Sequence, residues 1–245
     1  MQYKEILKQT PLYGPLRTAK NLVEKATRKK TFKPNLSNFI SDNKIQVAGI
    51  IHVGANTAQE IDQYAALGEI EVVWIDPIPD MVEQVSAKIK KRNLANHFVL
   101  EACCSDKTGE RISFNVASNN GESSSMLDLG DHKKLYPEIE YTDTFEIETK
   151  TLDDLMNGTL PEAQANILVV DTQGADLKVI KGAEKILENI DAVYIEVSDF
   201  PLYEGGATFD EIYKFLTPKG FFCHNVTIKH VGYGDAFFVK NKKKS

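Results

Sequence analysis

Polar side chains that can do chemistry stand at the ends of five apolar runs of the sequence. Each run is rich in Val and Ile, as buried parallel strands are. The polar residues are His52, Gly54 and Asn56 at the first run, Asp76 at the second, Ser105 and Asp106 at the third, Asp171 and Gln173 at the fourth, and Glu196, Ser198 and Asp199 at the fifth. Because ligands of open parallel sheets bind beyond the carboxyl ends of the strands, we expect these groups to form one site there.

The pair Gly54 and Asp76 predicts a site for a nucleoside. Glycine lets the backbone pass close to a ligand, and an acid about 20 residues later accepts hydrogen bonds from ribose hydroxyls. Asp76 lies 22 positions after Gly54, and Thr57-Ala58-Gln59 lacks the later glycines of a pyrophosphate-binding turn. A cofactor without phosphate, such as S-adenosylmethionine, therefore fits the sequence better than a dinucleotide. The alternative is a tight turn and a helix-leading acid with no ligand.

Asp171 is the first candidate for a general base, because the fourth strand delivers it to the edge of the sheet. A hydroxyl group is a poor nucleophile, so a base within hydrogen-bond reach is expected when one attacks. The alternative for Asp171 is to cap a helix predicted to start near Gly174. His224 is the second candidate, and its alternative is a surface histidine. Asp176, in the first helical turn, is predicted to be structural.

The elements that must position these residues alternate between strands and helices, which predicts an α/β fold with a doubly wound, seven-stranded, mostly parallel sheet. The predicted strands are 47–53, 71–75, 98–104, 166–170, 192–197, 220–225 and 235–239, the last two antiparallel to each other. Predicted helices follow Gly54 up to Leu67, cover 80–92 with Asp80 as the cap, begin near Leu152, and cover 174–188 and 209–216. Residues 105–150 interrupt the alternation with extra strands at 111–116 and 144–149 around a polar loop, and such insertions are usually functional or disordered.

The charge distribution predicts a basic arm at residues 1–44 and a single domain at 45–245. The arm has ten Lys or Arg against three acids, a net charge of +7, so the net charge of −6 leaves −13 for the rest. An acidic domain argues against a nucleic-acid partner. The arm, with a predicted helix at 17–30, is either a solvated helix and linker or a segment that docks peripherally to anionic glycan, lipid or another subunit, including a second copy.

No run of residues is as long and apolar as a membrane span requires, and the first residues lack the apolar core of a secretory signal. We therefore expect a cytoplasmic protein with no integral membrane segment. The three cysteines, Cys103, Cys104 and Cys223, have neither a disulfide framework nor zinc-type spacing, and we expect reduced thiols in the core.

Five motifs in one order resemble the FkbM family of methyltransferases. They are Ile-His-Val-Gly-Ala-Asn at 51–56, Ser-Ser at 124–125, Thr-Leu-Asp at 151–153, Asp-Thr-Gln-Gly-Ala-Asp-Leu-Lys-Val-Ile-Lys-Gly-Ala at 171–183 and Tyr-Ile-Glu-Val at 194–197. The resemblance covers about residues 47–240. It implies a class I methyltransferase (Rossmann-like) fold, S-adenosylmethionine as methyl donor, and transfer to an oxygen of a sugar, a glycan, a polyketide or a related small molecule.

The sequence departs from the family pattern at four positions. His52 stands where an acid is usual, Ala58 where a glycine is usual, and Asp76 and Asp176 replace glutamates. The two aspartates keep the charge. His52 has two interpretations: it contacts the amino acid portion of the cofactor, or it is an uncharged histidine that the backbone satisfies.

On this basis we assign two sets of contacts. Cofactor contacts are predicted for His52, Gly54, Asn56, Thr57, Asp76, Ile78 and Ser105, and acceptor contacts for Ser124, Ser125, Gln173, Glu196 and Tyr203. The serines lie on a predicted flexible loop, and residues 203–206 are predicted to form a mobile lid with Tyr203 stacked on a sugar face.

Three other possibilities stay open at this stage. Asp171, Glu196 and Asp199 have the oxygen ligands that magnesium prefers, but spacing alone does not assemble them, and we predict no metal. The same fold hosts nicotinamide-dependent oxidoreductases, and it also serves as a non-catalytic domain that binds a glycan or a partner.

Overall fold

A seven-stranded sheet forms the centre of the molecule. The computed structural model describes residues 36–160, 162–228 and 231–241, so the helix predicted at 17–30 lies outside the described residues. The strands, in chain order, are β1 (Gly49–Val53), β2 (Glu71–Asp76), β3 (His97–Glu101), β4 (Cys103–Cys104), β5 (Arg111–Ala117), β6 (Tyr141–Lys150), β7 (Ile167–Val170), β8 (Ala192–Ser198), β9 (Phe221–Ile228) and β10 (Tyr233–Lys240). The order in the central sheet is β3-β2-β1-β7-β8-β10-β9.

The strand directions confirm the predicted doubly wound sheet. Strand β10 runs antiparallel to both of its neighbours, and the pairs among β1, β2, β3, β7 and β8 are parallel. Chain order reverses between β1 and β7, the place where open α/β sheets bind their ligands.

Helices cover both faces of the sheet. They are α1 (Leu36–Asp42), α2 (Ile61–Ala65), α3 (Pro79–Arg92), α4 (His132–Leu135), α5 (Leu152–Thr159), α6 (Asp176–Lys181), α7 (Ile186–Asn189) and α8 (Phe209–Leu216), followed by a 3-10 turn at Thr217–Lys219. Neighbouring strand residues alternate between the faces: Ile51 packs with α5, α6 and α8, whereas Ile50 packs with α1, α2 and α3. Helix α1 lies inside the range assigned to the arm, yet its Phe39 is buried and stacks on Phe237 at 4.1 Å.

The insertion between β3 and α5 folds as a small sheet. Strands β5 and β6 pair antiparallel, which confirms the two extra strands, and β4 pairs with β6. The predicted strand at 98–104 is divided, because the chain leaves the central sheet at Glu101 and joins the small sheet at Cys103. The insertion is therefore attached at the carboxyl end of β3, on the same side of the sheet as the candidate site.

Three predicted helix boundaries are wrong for local reasons. The helix after Gly54 begins only at Ile61, because Asn56 and Ala58 take left-handed conformations that interrupt helical backbone. Gln173 and Gly174 likewise delay α6 to Asp176, and the predicted helix 174–188 is divided into α6 and α7.

Helix α3 begins at Pro79 with Ile78 as its N-cap, so Asp80 is not the cap.

Among the described residues, no helix is long and apolar enough to cross a membrane.

Candidate active site

Two adjoining cavities open at the carboxyl edge of the sheet, where β1 and β7 lie side by side. The inner cavity, of about 50 Å³, extends toward Asp76 and Ile78, and the outer cavity, of about 430 Å³, extends toward the insertion. Five residues line both cavities: Gly54, Asn56, Glu122, Asp171 and Gln173. The predicted polar residues of three strands therefore do meet at one place.

Gly54 joins three strands at the floor of this site. Its backbone N–H and that of Ala55 donate to the carbonyl of Ile75, at 2.9 and 3.0 Å. Gly54 has a φ of +81°, and a Cβ atom at this position would lie 1.8 Å from the carbonyl oxygen of Asp171. Glycine is thus required at position 54 because the backbone of Asp171, after β7, lies too close for a side chain. A ligand that approaches Gly54 would add to this requirement.

Asp76 is buried, and each of its carboxylate oxygens accepts a backbone hydrogen bond. Oδ2 accepts from Asn56 N at 2.7 Å and Oδ1 accepts from Ile78 N at 3.0 Å. Burial raises the pKa of Asp76 to about 6, and the two N–H donors act in the opposite direction. The carboxylate joins the loop after β1 to the loop after β2.

The other predicted cofactor residues divide into two groups. Asn56 and Ile78 line the inner cavity, and His52 lines the outer one. Thr57 and Ser105 line neither: Thr57 donates its N–H to Asn56 Oδ1 at 2.7 Å, and the Ser105 hydroxyl donates to Asp106 at 3.1 Å. These two side chains belong to supporting loops.

His52 is an uncharged histidine. Burial lowers its pKa to about 3, and its ring lies 5.3 Å from that of Trp74. Its Nδ1 lies 3.2 Å from the hydroxyl of Tyr64. One interpretation predicted a backbone partner for this histidine, but the partner is the side chain of Tyr64. The ring of His52 also lines the outer cavity.

Asp171 stands at the junction of the two cavities and is held by Gln173. Gln173 Nε2 donates to Asp171 Oδ1 at 2.5 Å and to Glu196 Oε2 at 3.2 Å. Asp171 is exposed at the cavity. The pKa of its carboxyl group is raised by desolvation between the cavity walls, the charge of nearby Asp176 adds to the effect, and the bond from Gln173 opposes it.

Asp176 is structural, as predicted. It is buried, and its carboxylate accepts from the backbone N–H groups of Thr172 and Gly174, at 2.9 and 3.1 Å. Asp171 does not cap this helix, which begins five residues after it, at Asp176.

The predicted acceptor residues occupy different places. Gln173 and Glu196 line the outer cavity, and Ser124 lines the inner one. Ser125 is fully buried and lines neither: its hydroxyl donates to the carbonyl of Gln173 at 2.8 Å. The serine loop is thus tied down by hydrogen bonds, contrary to the flexible loop that we predicted.

Tyr203 is a correction to the predicted lid. It is only 1% exposed, because its ring packs on Gly174. A Cβ atom at residue 174 would lie 2.8 Å from this ring. Its hydroxyl donates to Gln173 Oε1 at 2.8 Å and lies 3.5 Å from the carbonyl oxygen of Ser123. Tyr203 cannot stack on a sugar from this position; it connects the loop after β7 to the insertion.

His224 does not lie at the site, contrary to its prediction as the second candidate for the general base. It is exposed on the edge strand β9, at a register shift in the pairing with β10, and its ring lies 5.4 Å from that of Phe39. It lines neither cavity. The sequence pattern of β9 indicates a strand but not its place in the sheet. It therefore could not show that β9 is an edge strand and that His224 lies away from the site.

Sequence reasoning missed the residues with which the insertion closes the outer cavity. They are Asn119, His132, Tyr136 and Ile139, together with Tyr233 from β10. The position of His132 in a long polar insertion was the available signal, because such insertions are often functional.

Similarity to known proteins identifies the family of this chain. The model of the methyltransferase FkbM domain matches residues 52–223. A curated relative, the 2-O-methyltransferase NoeI of Sinorhizobium fredii (strain NBRC 101917 / NGR234), is 25% identical over 163 residues. The match covers 64% of this chain and 65% of NoeI, so the chain spans less than two thirds of that relative.

Two solved structures are similar to this chain at low identity. A SAM dependent methyltransferase from Aquifex aeolicus is 13% identical, with a TM-score of 0.47 and coverage of 92% of this chain and 98% of that one. Magnesium protoporphyrin IX methyltransferase (ChlM) from Synechocystis PCC 6803, with bound SAM, is 8% identical, with a TM-score of 0.48 and coverage of 98% and 90%. The family match, which spans most of the chain, carries the identification: the chain belongs to the FkbM family of S-adenosylmethionine-dependent methyltransferases.

Proposed function

We propose that this protein transfers a methyl group from S-adenosylmethionine to a hydroxyl oxygen of a sugar, a glycan or a related metabolite. The observation that carries the proposal is the position of Asp171, whose side chain lines both the inner and the outer cavity. A cofactor in the inner cavity and an acceptor in the outer cavity would meet at this carboxylate. The 2-O-methyltransferase activity named for the relative NoeI supports oxygen as the acceptor atom.

The inner cavity has the donor set for an adenosine. Asp76 supplies a carboxylate for ribose hydroxyls. Each of its oxygens accepts one backbone N–H and keeps a second lone pair that can accept from a hydroxyl. Ile78, Phe114 and Met126 supply apolar walls for a base. When bound, S-adenosylmethionine supplies a methyl group on a positively charged sulfur, which becomes a neutral thioether when the acceptor oxygen takes the methyl group.

Residues 120–122 cover the inner cavity, and we expect them to move when the cofactor enters. A cavity of about 50 Å³ is too small for a nucleoside. Two long hydrogen bonds hold these residues down: Asn56 Nδ2 donates to the carbonyl of Asn120 at 3.2 Å, and Gln59 Nε2 donates to Glu122 at 3.4 Å. Bonds of this length at an exposed edge are weak enough to open.

Asp171 is proposed as the group that takes the proton from the acceptor hydroxyl. Its raised pKa makes it a better proton acceptor than an ordinary aspartate, and Gln173 fixes one of its oxygens at 2.5 Å. Gln173 is in turn fixed by Glu196 and Tyr203. The protein thus aligns the base through side chains that it has already ordered, which is the kind of positioning that in-line transfer requires.

Titration calorimetry with S-adenosylhomocysteine and NAD tests the cofactor, and release of S-adenosylhomocysteine in the presence of hydroxylated acceptors tests the reaction. We expect S-adenosylhomocysteine to bind and NAD not to bind. If S-adenosylhomocysteine does not bind, the cofactor assignment is wrong. Binding without turnover on any hydroxyl acceptor would instead favour a non-catalytic domain.

Asp76→Ala tests the ribose assignment. We expect S-adenosylhomocysteine to bind about 10- to 100-fold more weakly with the fold retained, because hydrogen bonds to a charged group contribute about 1.5–3 kcal/mol. Asp80→Ala is the matched control, since Asp80 is exposed in the first turn of α3 and lines neither cavity. Equal affinity of wild type and Asp76→Ala would refute the assignment.

A further inference from the structure

Three neutral polar side chains of the insertion stand together on one wall of the outer cavity. Asn119 Nδ2 donates to Ser123 Oγ at 3.0 Å, and Ser123 Oγ lies 3.2 Å from His132 Nε2. All three residues line the outer cavity, which Asp171 also lines. An amide, a hydroxyl and an imidazole are groups that both donate and accept hydrogen bonds.

His132 is the member of this set whose hydrogen bonding is incomplete. It is 5% exposed, burial lowers its pKa so that the ring is neutral, and no described residue binds its Nδ1. Buried polar atoms are nearly always paired, so an unpaired one asks for an explanation. A histidine that has only a packing role would be served equally well by a carbon ring.

The unpaired Nδ1 also distinguishes between two roles for His132. A histidine that acts as a general base is held in one tautomer by a partner on its second nitrogen. No described group does so here, and the ring is positioned by its neighbours Tyr136 and Tyr203, at centroid distances of 5.1 and 5.2 Å. Either tautomer is accessible. A protonated Nε2 donates to Ser123 Oγ, whose hydroxyl can then donate to a ligand hydroxyl; an unprotonated Nε2 accepts from Ser123 Oγ, which keeps a lone pair for a ligand hydroxyl.

We propose that His132, with Ser123 and Asn119, binds a second hydroxyl group of the acceptor and so determines which hydroxyl faces Asp171. This rests on the proposed function and narrows its acceptor to a polyol that offers at least two hydroxyls. The remaining wall suits such a molecule, because Ile139, Leu202 and the tyrosine pair Tyr136 and Tyr233 provide apolar faces for the C–H groups of a sugar ring.

Saturation-transfer NMR on the protein loaded with S-adenosylhomocysteine tests the proposal. The probes are the methyl glycosides of glucose, galactose, mannose, fucose and rhamnose, with cyclohexanol as a ring of similar size that has one hydroxyl. We expect at least one glycoside to bind more tightly than cyclohexanol. If none does while S-adenosylhomocysteine binds, this inference is overturned and the proposed function stands; if S-adenosylhomocysteine does not bind, the proposed function fails first.

His132→Phe separates binding from packing. The phenyl ring keeps the aromatic contacts and removes both ring nitrogens, the unpaired Nδ1 and the Nε2 that is bonded to Ser123. These two changes oppose each other, so we expect a melting temperature close to that of the wild type. The affinity for the tightest glycoside should fall about 3- to 10-fold, the loss of one neutral hydrogen bond, while affinity for S-adenosylhomocysteine stays the same.

His224→Phe is the matched control, because it makes the same change at an exposed histidine outside both cavities. It should leave glycoside binding unchanged. Unchanged glycoside affinity in His132→Phe, or a loss of stability without a loss of affinity, would show that His132 is only structural. Ser123→Ala provides an independent check and should weaken the same glycoside by a similar factor.

Discussion

The inner and outer cavities share a floor but are built in different ways. The inner cavity is formed by the ends of β1, β2 and β7 and covered by the insertion, and its carboxylate, Asp76, is held by two backbone N–H groups. The outer cavity is closed by the insertion and by Tyr233, and its carboxylate, Asp171, is held by the side chain of Gln173. Backbone donors are fixed by the sheet, whereas a side-chain donor depends on its own neighbours.

This difference indicates a division of roles between sheet and insertion. On the proposed function, the strand ends supply the place for the nucleoside. The insertion supplies one wall of the outer cavity, where the acceptor would bind. Loops on a rigid scaffold commonly carry such specificity. The predictions below test whether the two carboxylates have separate roles, and whether the cavities depend on each other.

The largest effect is expected for Asp171→Asn. If Asp171 takes the proton from the acceptor, the turnover number should fall about 10²- to 10⁴-fold, while affinity for S-adenosylhomocysteine stays within about threefold of wild type. Release of S-adenosylhomocysteine measures the rate, and calorimetry measures the affinity. Asp80→Asn, outside both cavities, should keep full activity. A turnover number within a factor of a few of wild type would mean that the base lies elsewhere.

The next effect concerns stability and Asp76. Its pKa is raised to about 6 in the folded state from an ordinary value near 3.8, so the folded protein binds this proton more tightly than the unfolded chain. The resulting stabilisation is present at low pH and is lost as pH rises through about 6. Relative to Asp76→Asn, the wild type should lose about 2–3 kcal/mol of unfolding free energy between pH 4 and 7.5.

Urea denaturation of both proteins at the two pH values measures this difference, and the comparison cancels the titration of the other groups. The experiment uses protein without cofactor, because ribose hydroxyls that donate to Asp76 would favour its charged form. A constant difference between the two proteins would show that the buried carboxylate titrates normally and that water reaches the inner cavity.

A smaller effect is expected for Tyr203→Phe, which tests the connection between the cavities. The substitution leaves Gln173 Oε1 without the donor that now lies at 2.8 Å, so the free energy of unfolding should fall by about 1 kcal/mol. A freer Gln173 should also lower the turnover number several-fold without weakening the binding of S-adenosylhomocysteine. Tyr213→Phe, on α8 outside both cavities, is the control. Unchanged turnover would mean that Glu196 alone positions Gln173.

The sequence predicts the sheet-built part of the molecule well, because burial leaves a periodic pattern. Asp76 and Asp171 were placed correctly from the apolar runs that precede them. Helix α8 was predicted with its observed bounds, and in the structure a capping box formed by Thr208 and Glu211 fixes its start.

The same patterns do not predict which way a loop residue faces. Tyr203 was assigned to a lid, but the absence of a side chain at Gly174 leaves room for its ring inside the protein. His132 lies in an insertion without apolar periodicity, so only the tertiary structure brings it beside Ser123. The side chains of the outer cavity therefore had to be located from the fold.

The smallest effect is expected for Ala58→Gly, which tests how rigidly the inner cavity is built. Ala58 has a φ of +50°, a left-handed conformation that costs a residue with a Cβ atom about 1–2 kcal/mol. Glycine removes this strain but also removes a fully buried methyl group, worth about 0.8 kcal/mol, and adds about 0.5–1 kcal/mol of chain entropy to the unfolded state.

These contributions nearly cancel, so the free energy of unfolding should change by less than about 1 kcal/mol, as measured by urea denaturation. Ala55→Gly is the matched control, because Ala55 is also buried but has no left-handed backbone to relieve; it should lose stability. A stabilisation of Ala58→Gly well above 1 kcal/mol would mean that the strained turn is imposed by its surroundings. In that case the hydrogen bond from Asn56 N to Asp76 holds the turn against its own preference.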